Sequence, residues 1–201
     1  MAEGSGLENR QTERFREFES HRFRQVFGNS AMNRRPLHFI TREREWELIQ
    51  RLLTVVDDSK FDPEDTAVIM VSPDYSATVA MHLAHNWSRK GDILPIIPVD
   101  VTYPDENPAP YILKMMKQRN DITKFRKLVL VEAGIIRGGN WTWILELLYS
   151  WDYDRKDITL IALCENIHSR VKSDYVAEYY DDDKEELMFY FERYNKHWPI
   201  R

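Results

Sequence analysis

Apolar runs along the chain predict an alternation of strands and helices. Four short segments have the length and composition of buried parallel strands, namely 66–72, 92–101, 127–133 and 158–165. Between them, apolar residues recur at helical spacing, which predicts helices over 41–53, 77–89, 111–118 and 141–152. Strands that are apolar throughout and alternate with helices are typical of α/β proteins. We therefore predict an α/β fold, a parallel sheet with helices on both faces.

The first 35 residues follow a different pattern. Between residues 12 and 27, aromatic and apolar side chains stand at helical spacing on an Arg- and Glu-rich segment: Phe15, Phe18, Phe23, Val26 and Phe27. Such a stripe docks either on its own domain or on another protein. We interpret residues 1–35 as an N-terminal amphipathic helical arm with a linker, and residues 36–201 as one α/β domain. Residues 12–27 are accordingly the candidate contact for a protein partner or a homo-oligomer.

Composition narrows the function classes. The chain has 201 residues, of which 43% are hydrophobic and 30% charged, with a formal net charge of -5 and a single cysteine. No apolar run approaches the roughly 20 residues that a membrane-spanning helix needs, and the N-terminus lacks the apolar core of a secretory signal. The acidic balance disfavours nucleic acid as a partner. These features predict an intracellular, cytoplasmic protein with no membrane association.

One loop carries candidate chemistry. The stretch "LVLVEAGIIRGGNW", Leu128 to Trp141, reads as a strand, a glycine-containing turn and a helix start. Loops at the carboxyl ends of parallel strands bind ligands, and a helix N-terminus attracts anions. Glycines let the backbone approach a phosphate closely, and Glu132 offers an acceptor for the hydroxyl groups of a ribose. Candidate phosphate-binding residues are therefore Gly134, Arg137, Gly138, Gly139 and Asn140.

This loop resembles the type I phosphoribosyltransferases, and within them the hypoxanthine, guanine and xanthine branch. Further stretches agree with that branch: "FITREREWELIQRLL" with its opening helix, "VKSDYVAEYYDDD" with its purine-binding hood, and "HWPI" with the Trp-Pro ending of some members. The resemblance implies a phosphoribosyltransferase fold and a site for phosphoribosyl pyrophosphate. It also implies that Tyr175 stacks on a base, that Val176 offers its carbonyl to the base, and that Asp181 or Asp182 faces Mg²⁺, with Asp182 as the candidate metal residue.

The chain departs from the family pattern in every chemical subsite. Ala133 replaces the second acid of the acid pair, and Ile136, which cannot accept a proton, stands in the position of the general base. The first loop reads "SPDYSA" where the family has glycines that bind pyrophosphate. Neither Glu165 nor Asn166 supplies the lysine charge that the family directs at the purine.

These departures predict a catalytically degenerate phosphoribosyltransferase-like protein. We expect it to bind a nucleotide or a ribose phosphate, or nothing, and to act as a regulatory or structural assembly subunit. The alternative is an active purine phosphoribosyltransferase that uses phosphoribosyl pyrophosphate and Mg²⁺, with Glu132 at the reacting ribose. A nucleotide-sensing module is a third interpretation. Whether the chain is an enzyme stays open, and the departures favour a protein without catalysis.

Overall fold

A computed structural model describes residues 35–71, 73–87, 92–99 and 119–189. The predicted arm before Arg35, the predicted helix at 111–118 and the "HWPI" stretch lie outside the described residues. Described strands are β1 (Leu37–Ile40), β2 (Thr66–Val71), β3 (Ile96–Val99), β4 (Lys127–Ile135), β5 (Ile158–Asn166), β6 (Tyr175–Tyr180) and β7 (Glu186–Phe189). Described helices are α1 (Arg42–Val55), α2 (Pro73–Asn86), α3 (Arg119–Ile122) and α4 (Gly139–Tyr149), with single 3₁₀ turns at Asp58–Lys60 and Arg155–Asp157.

Five strands form a parallel sheet in the order β3-β2-β4-β5-β6. In register, β4 places Glu132 beside Ala162 and Ile135 beside Glu165, so the two central strands end at the same edge. A second, two-stranded parallel sheet pairs β1 with β7. The predicted parallel α/β architecture is confirmed, and its strand ends define one edge at which loops and helix starts converge.

Two apolar cores cover the two faces of the five-stranded sheet. The first core packs Leu48, Ile49 and Leu52 of α1 and Val79 and Leu83 of α2 against alternate strand residues. The second core packs Trp141, Ile144 and Leu148 of α4 against the others. In β4 the residues alternate as a strand requires: Val129, Val131 and Ala133 belong to the first core, and Leu128 and Leu130 to the second. Helices therefore lie on both faces, as the pattern predicted.

Several boundaries differ from the prediction for local reasons. Helix α2 begins at Pro73, four residues before the predicted start, because proline suits the first helical position, where its missing N–H costs nothing. Thr41 caps α1, and its side chain accepts a hydrogen bond from the backbone N of Arg44 at 3.1 Å. The N-cap of α4 is Gly138 and not Asn140. Asn140 lies inside the first turn instead.

Three strands were not predicted. Strands β1, β6 and β7 lie in segments that are short or polar in the sequence, and each strand combines buried residues with partly or fully exposed ones. Their pairing joins residues far apart in the chain, for example Ile40 with Phe189.

No described helix is long and apolar enough to cross a membrane.

Candidate functional site

The carboxyl ends of β4 and β5 form the candidate site. Strand β4 ends at Ile135, and only residues 136–138 separate it from α4. The β5–β6 loop lies beside this turn, because the backbone N of Arg170 donates to the carbonyl of Arg137 at 3.3 Å. The Nδ2 of Asn166, the last residue of β5, donates to the carbonyl of Ile136 at 2.8 Å. One backbone hydrogen bond and one from a side-chain amide therefore connect the two strand ends.

Glu132 lies within β4 rather than at its tip. Its side chain is 5% exposed, and its Oε1 accepts a hydrogen bond of 2.7 Å from the Nδ2 of Asn140. The other oxygen, Oε2, has no hydrogen-bond partner among the described residues. Burial raises the pKa of Glu132 to about 8, although the hydrogen bond from Asn140 acts in the opposite direction. At pH 7 the protonated, neutral carboxyl is therefore the predominant form.

Ala133 belongs to the first core, on the opposite face of the sheet from α4. Its backbone N donates to the Oγ of the fully buried Ser76 at 3.1 Å, which ties β4 to α2 beyond the last register pair with β2. The sequence analysis did not single out Ser76, because only tertiary packing brings α2 to this point. Position 133 thus offers a methyl group in an apolar core and no acceptor for a ligand.

Gly138 has a left-handed backbone, with φ of 72°. A Cβ at this position would lie 2.7 Å from the Oγ of Ser169 and 3.0 Å from the backbone N of Val171. The glycine is therefore required where the β4–α4 turn meets the β5–β6 loop. The N-cap provides no side-chain hydrogen bond to the first turn of α4, in which Gly139 is exposed.

Gly134 lies inside β4 and not in the turn. A Cβ on this residue would lie 3.0 Å from a methyl carbon of Leu187 and 3.1 Å from the ring of Phe189. Its small size therefore makes room for β7. Arg137 and Ile136 are both exposed at the turn, the latter by 55% of its side chain. Of the predicted phosphate-binding residues, the structure brings Arg137, Gly138, Gly139 and Asn140 together at the start of α4, and it places Gly134 deeper in the sheet.

Glu165 is a second buried carboxylate at this edge. It is 0% exposed, and its Oε2 accepts from the backbone N of Ser173 at 2.9 Å. The ammonium of Lys172 lies 3.4 Å from Oε1, an ion pair without hydrogen-bond geometry. The same ammonium donates to the carbonyl of Ile167 at 2.8 Å. The chain has no lysine at position 165 or 166, but the fold places the ammonium of Lys172 beside Glu165.

The predicted base-binding and metal residues lie further along the chain. Tyr175 and Val176 begin β6, where they pair with Ile161 and Ala162 and pack against the first and second cores respectively. The backbone N of Asp182 lies 3.5 Å from the Oδ1 of Asn166. The assignment of these residues to base and metal, and of Glu132 to ribose, stays a prediction.

The residues around Glu132 do not fit a magnesium ion. Mg²⁺ is held by ionised carboxylates in near-octahedral oxygen sites. Here Glu132 is a single buried carboxyl, and the neighbouring position offers only the methyl group of Ala133 on the other face, so the several oxygen ligands of such a site are missing at these two positions.

Comparison with solved structures identifies the fold. The chain superposes on a purine phosphoribosyltransferase from Pyrococcus horikoshii Ot3 with a TM-score of 0.52 and 16% identity, over 75% of this chain and 90% of that one. The Helicobacter pylori xanthine-guanine-hypoxanthine phosphoribosyltransferase matches with a TM-score of 0.52 and 12% identity, over 79% and 94%. A hypothetical protein from Neisseria gonorrhoeae with bound ppGpp matches with a TM-score of 0.54 and 13% identity, over 81% and 93%.

The fold is thus that of the type I phosphoribosyltransferases, as the loop and hood motifs predicted. No protein-family model matches the sequence, and no curated protein matches it either. The likeness is one of structure and not of sequence, so it identifies the fold and leaves the activity to be argued from the site.

Proposed function

We propose that this chain is a catalytically degenerate protein with the phosphoribosyltransferase fold, which binds a nucleotide or a ribose phosphate and acts as a regulatory or structural assembly subunit. The carrying observation is Glu132, a buried carboxyl with one neutral hydrogen-bond donor and one unpartnered oxygen. A lone neutral carboxyl can exchange hydrogen bonds with ligand hydroxyl groups. It does not supply the paired negative charge that an oxocarbenium-like ribose would require.

Features at the start of α4 support binding of the anionic end of such a ligand. The first turn of α4 has no side-chain cap, and backbone N–H groups of an uncapped helix start attract phosphate. Exposed Arg137 and Arg170 lie on the two loops that meet here. The Neisseria gonorrhoeae protein of the same fold, which contains ppGpp, supports a phosphorylated nucleotide as the ligand class.

Two features argue against phosphoribosyl transfer. Ile136 presents an exposed hydrocarbon side chain at the turn, so no group there accepts a proton. Strand β2 ends at Val71 and α2 begins at Pro73, which leaves one connecting residue and no glycine loop to present amides to a pyrophosphate.

A thermal-shift series tests ligand binding. Nucleoside monophosphates, ppGpp, ribose 5-phosphate and phosphoribosyl pyrophosphate are each added to the full chain, and a ligand at 100 times its Kd adds about 2.7 kcal/mol of stability. We expect at least one to raise the Tm, and Arg137→Ala to reduce that rise. Arg126→Ala is the matched control, because Arg126 is exposed just before the opposite end of β4. No rise with any ligand would refute nucleotide binding.

An active purine phosphoribosyltransferase is the second candidate, and the fold shared with two such enzymes favours it. It predicts pyrophosphate release from phosphoribosyl pyrophosphate and Mg²⁺ with hypoxanthine, guanine or xanthine. We expect no turnover at high enzyme concentration. Turnover that Glu132→Gln abolishes would replace the degenerate interpretation with this one.

The assembly role rests on the aromatic stripe of residues 12–27 and is tested in the full chain. Phe18→Glu and Phe23→Glu place charge on the stripe. Analytical ultracentrifugation of each purified variant, and of each variant in a cell extract, should show a smaller sedimenting species than the wild type forms. If the variants sediment like the wild type in both settings, the stripe does not mediate assembly.

A further inference from the structure

We propose that His168, Asp181 and Asp183 form a binding site for a divalent transition-metal ion such as Zn²⁺, Co²⁺ or Ni²⁺. Among the described residues, these three offer one imidazole nitrogen and two carboxylate oxygens within 4.8 Å of one another. The set comes from two segments, the β5–β6 loop and the turn between β6 and β7. It does not include Glu132, and it differs from the Mg²⁺ position that the resemblance implies at Asp181 or Asp182, because His168 supplies a nitrogen ligand and Asp183 a second oxygen.

The separations match those of ligands on one metal ion. The Nε2 of His168 lies 3.3 Å from the Oδ1 of Asp181 and 3.6 Å from the Oδ2 of Asp183. Ligand atoms bound at about 2.0–2.1 Å with a tetrahedral angle between them lie roughly 3.3–3.4 Å apart. The three atoms therefore need only small side-chain movements to bind the same ion. A mixed set of one nitrogen and two oxygens suits zinc-like ions rather than Mg²⁺.

The backbone holds the two ligand-bearing segments in register. The buried Asn166 accepts at its Oδ1 from the backbone N of His168 at 3.0 Å, and the backbone N of Asp182 lies 3.5 Å from the same oxygen. The backbone N of Ile167 donates to the carbonyl of Tyr180 at 2.8 Å. His168 directly follows Ile167, and Asp181 directly follows Tyr180. Their proximity therefore follows from the end of the β5–β6 pairing and not from chance contact of surface side chains.

Charge and access also suit an ion. Lys184 pairs with the Oδ2 of Asp181 at 2.7 Å. The Oδ1 of Asp181, the atom nearer to His168, accepts a hydrogen bond from the backbone N of Asp183 at 3.1 Å and has a second lone pair for an ion. The side chains of His168 and Asp183 are 53% and 81% exposed, so an ion reaches the cluster directly from solvent. Three protein ligands leave a coordination position for water, as in sites that exchange ligands.

Metal binding here would fix the loop that contacts the start of α4. His168 is followed by Ser169, whose Oγ lies 2.7 Å from where a Cβ of Gly138 would stand. An ion that joins His168 to the β6–β7 turn restricts this loop while leaving Lys172 and Glu165 paired. The site would thus stabilise the folded chain, and that readout is independent of nucleotide binding.

Isothermal titration of the untagged full chain with ZnCl₂, and Co²⁺ absorption spectra of the same chain, test the site. We expect one stoichiometric ion, a Co²⁺ spectrum that reports nitrogen and oxygen ligands, and a metal-dependent rise in Tm. His168→Ala and Asp183→Asn should each weaken binding by at least about 10-fold, the lower end of what altered ligand surroundings cost. Asp121→Asn, which removes the same charge from an exposed aspartate of α3 outside the cluster, should leave the affinity within about twofold, well under the tenfold step of 1.4 kcal/mol.

A histidine outside the cluster provides the remaining control. His85→Ala removes an exposed histidine of α2 and should not change binding. The proposal is overturned if no stoichiometric ion binds, if His168→Ala binds as tightly as the wild type, or if Asp121→Asn weakens binding as much as Asp183→Asn.

Discussion

Glu132 of β4 and Glu165 of β5 are two buried glutamates at the same edge of the sheet, and they have different partners. Glu132 receives one hydrogen bond from a neutral amide, and burial raises its pKa to about 8. Glu165 is buried as completely, yet it has the ammonium of Lys172 at 3.4 Å and a backbone N–H at 2.9 Å. The first carboxyl meets no cation in the described structure, whereas the second is half of an ion pair.

Because of this difference, Glu132 is a candidate ligand-binding group, whereas Glu165 is a candidate structural group. A buried carboxylate is tolerated when a cation and hydrogen bonds replace its water. Lys172 meets that need for Glu165 and also fixes the carbonyl of Ile167, so the pair holds the β5–β6 loop. Glu132 has an oxygen left without a partner, and such an oxygen is stabilised by a ligand donor or by protonation. We therefore propose that the end of β4 contacts the ligand, whereas the end of β5 anchors the β5–β6 loop.

The largest expected effect is on the pH dependence of stability. Because the folded pKa of Glu132 is about 8 and lies above the ordinary value of 4.5, the folded state binds more protons than the unfolded state between these values. Stability is then present in full below pH 4.5 and is lost as the pH rises through 8. We expect Glu132 to account for a loss of roughly 3 kcal/mol in unfolding free energy between pH 5 and pH 8.

Urea denaturation of the wild type and Glu132→Gln at pH 5, 6, 7 and 8 measures this loss. Glutamine keeps the acceptor for Asn140 without the ionisable proton, so the variant should match the wild type at pH 5 and exceed it at pH 8. Parallel stability curves for the two proteins would mean that Glu132 is ionised in the folded state, and the contrast with Glu165 would disappear.

The next effect concerns the glycine at which the two loops meet. Gly138→Ala puts a Cβ against Ser169 and forces an L-residue into a left-handed backbone, which costs about 1–2 kcal/mol before the clash is counted. We expect a loss of about 2 kcal/mol in urea denaturation. Gly139→Ala, one residue later in the exposed first turn, should be neutral or stabilising by about 0.4–1 kcal/mol. Equal losses in both variants would show that the loops do not meet at Gly138.

The smallest effect tests the cation at Glu165. Lys172→Met removes the ammonium group beside the fully buried carboxylate of Glu165. Because the side chain of Lys172 is 50% exposed and solvent screens its charge, we expect a loss of about 1 kcal/mol in unfolding free energy. Lys156→Met, at an ion pair whose lysine is 76% exposed, should leave the stability unchanged within experimental error. The double variant Lys172→Met with Glu165→Gln should recover part of the loss, and an additive double variant would indicate that the two residues do not interact.

Local patterns predicted the fold well where burial is uniform. Strands β2, β4 and β5 each contain a nearly continuous apolar run, because both faces of a central parallel strand are covered, and such runs are visible in the sequence. Strands β6 and β7 are edge or satellite elements whose composition resembles that of a loop. They are strands because they pair with distant segments of the chain. Such pairing leaves no periodic pattern in the local sequence.

The candidate site was predicted in part for the same reason. The turn 136–138 and the helix start after it are local features, so Arg137, Gly138 and Gly139 could be read from the order of residues alone. The amide of Asn140 was predicted to cap the helix or bind an anion, but in the fold it reaches eight residues back to Glu132. Ser76, Lys172 and His168 were missed, because each acts on a residue or segment that only the folded chain brings near.

By itself, the sequence determined the parallel α/β class, the position of the glycine turn and the absence of a second acid at Ala133, since these depend on residue type and spacing along one stretch. Only the tertiary structure decided the charge state of Glu132, because its pKa follows from how completely the sheet and α4 exclude water from it. The same holds for the pairing of Lys172 with Glu165 and the meeting of His168 with Asp181 and Asp183. Burial and separation in space are properties of the whole fold.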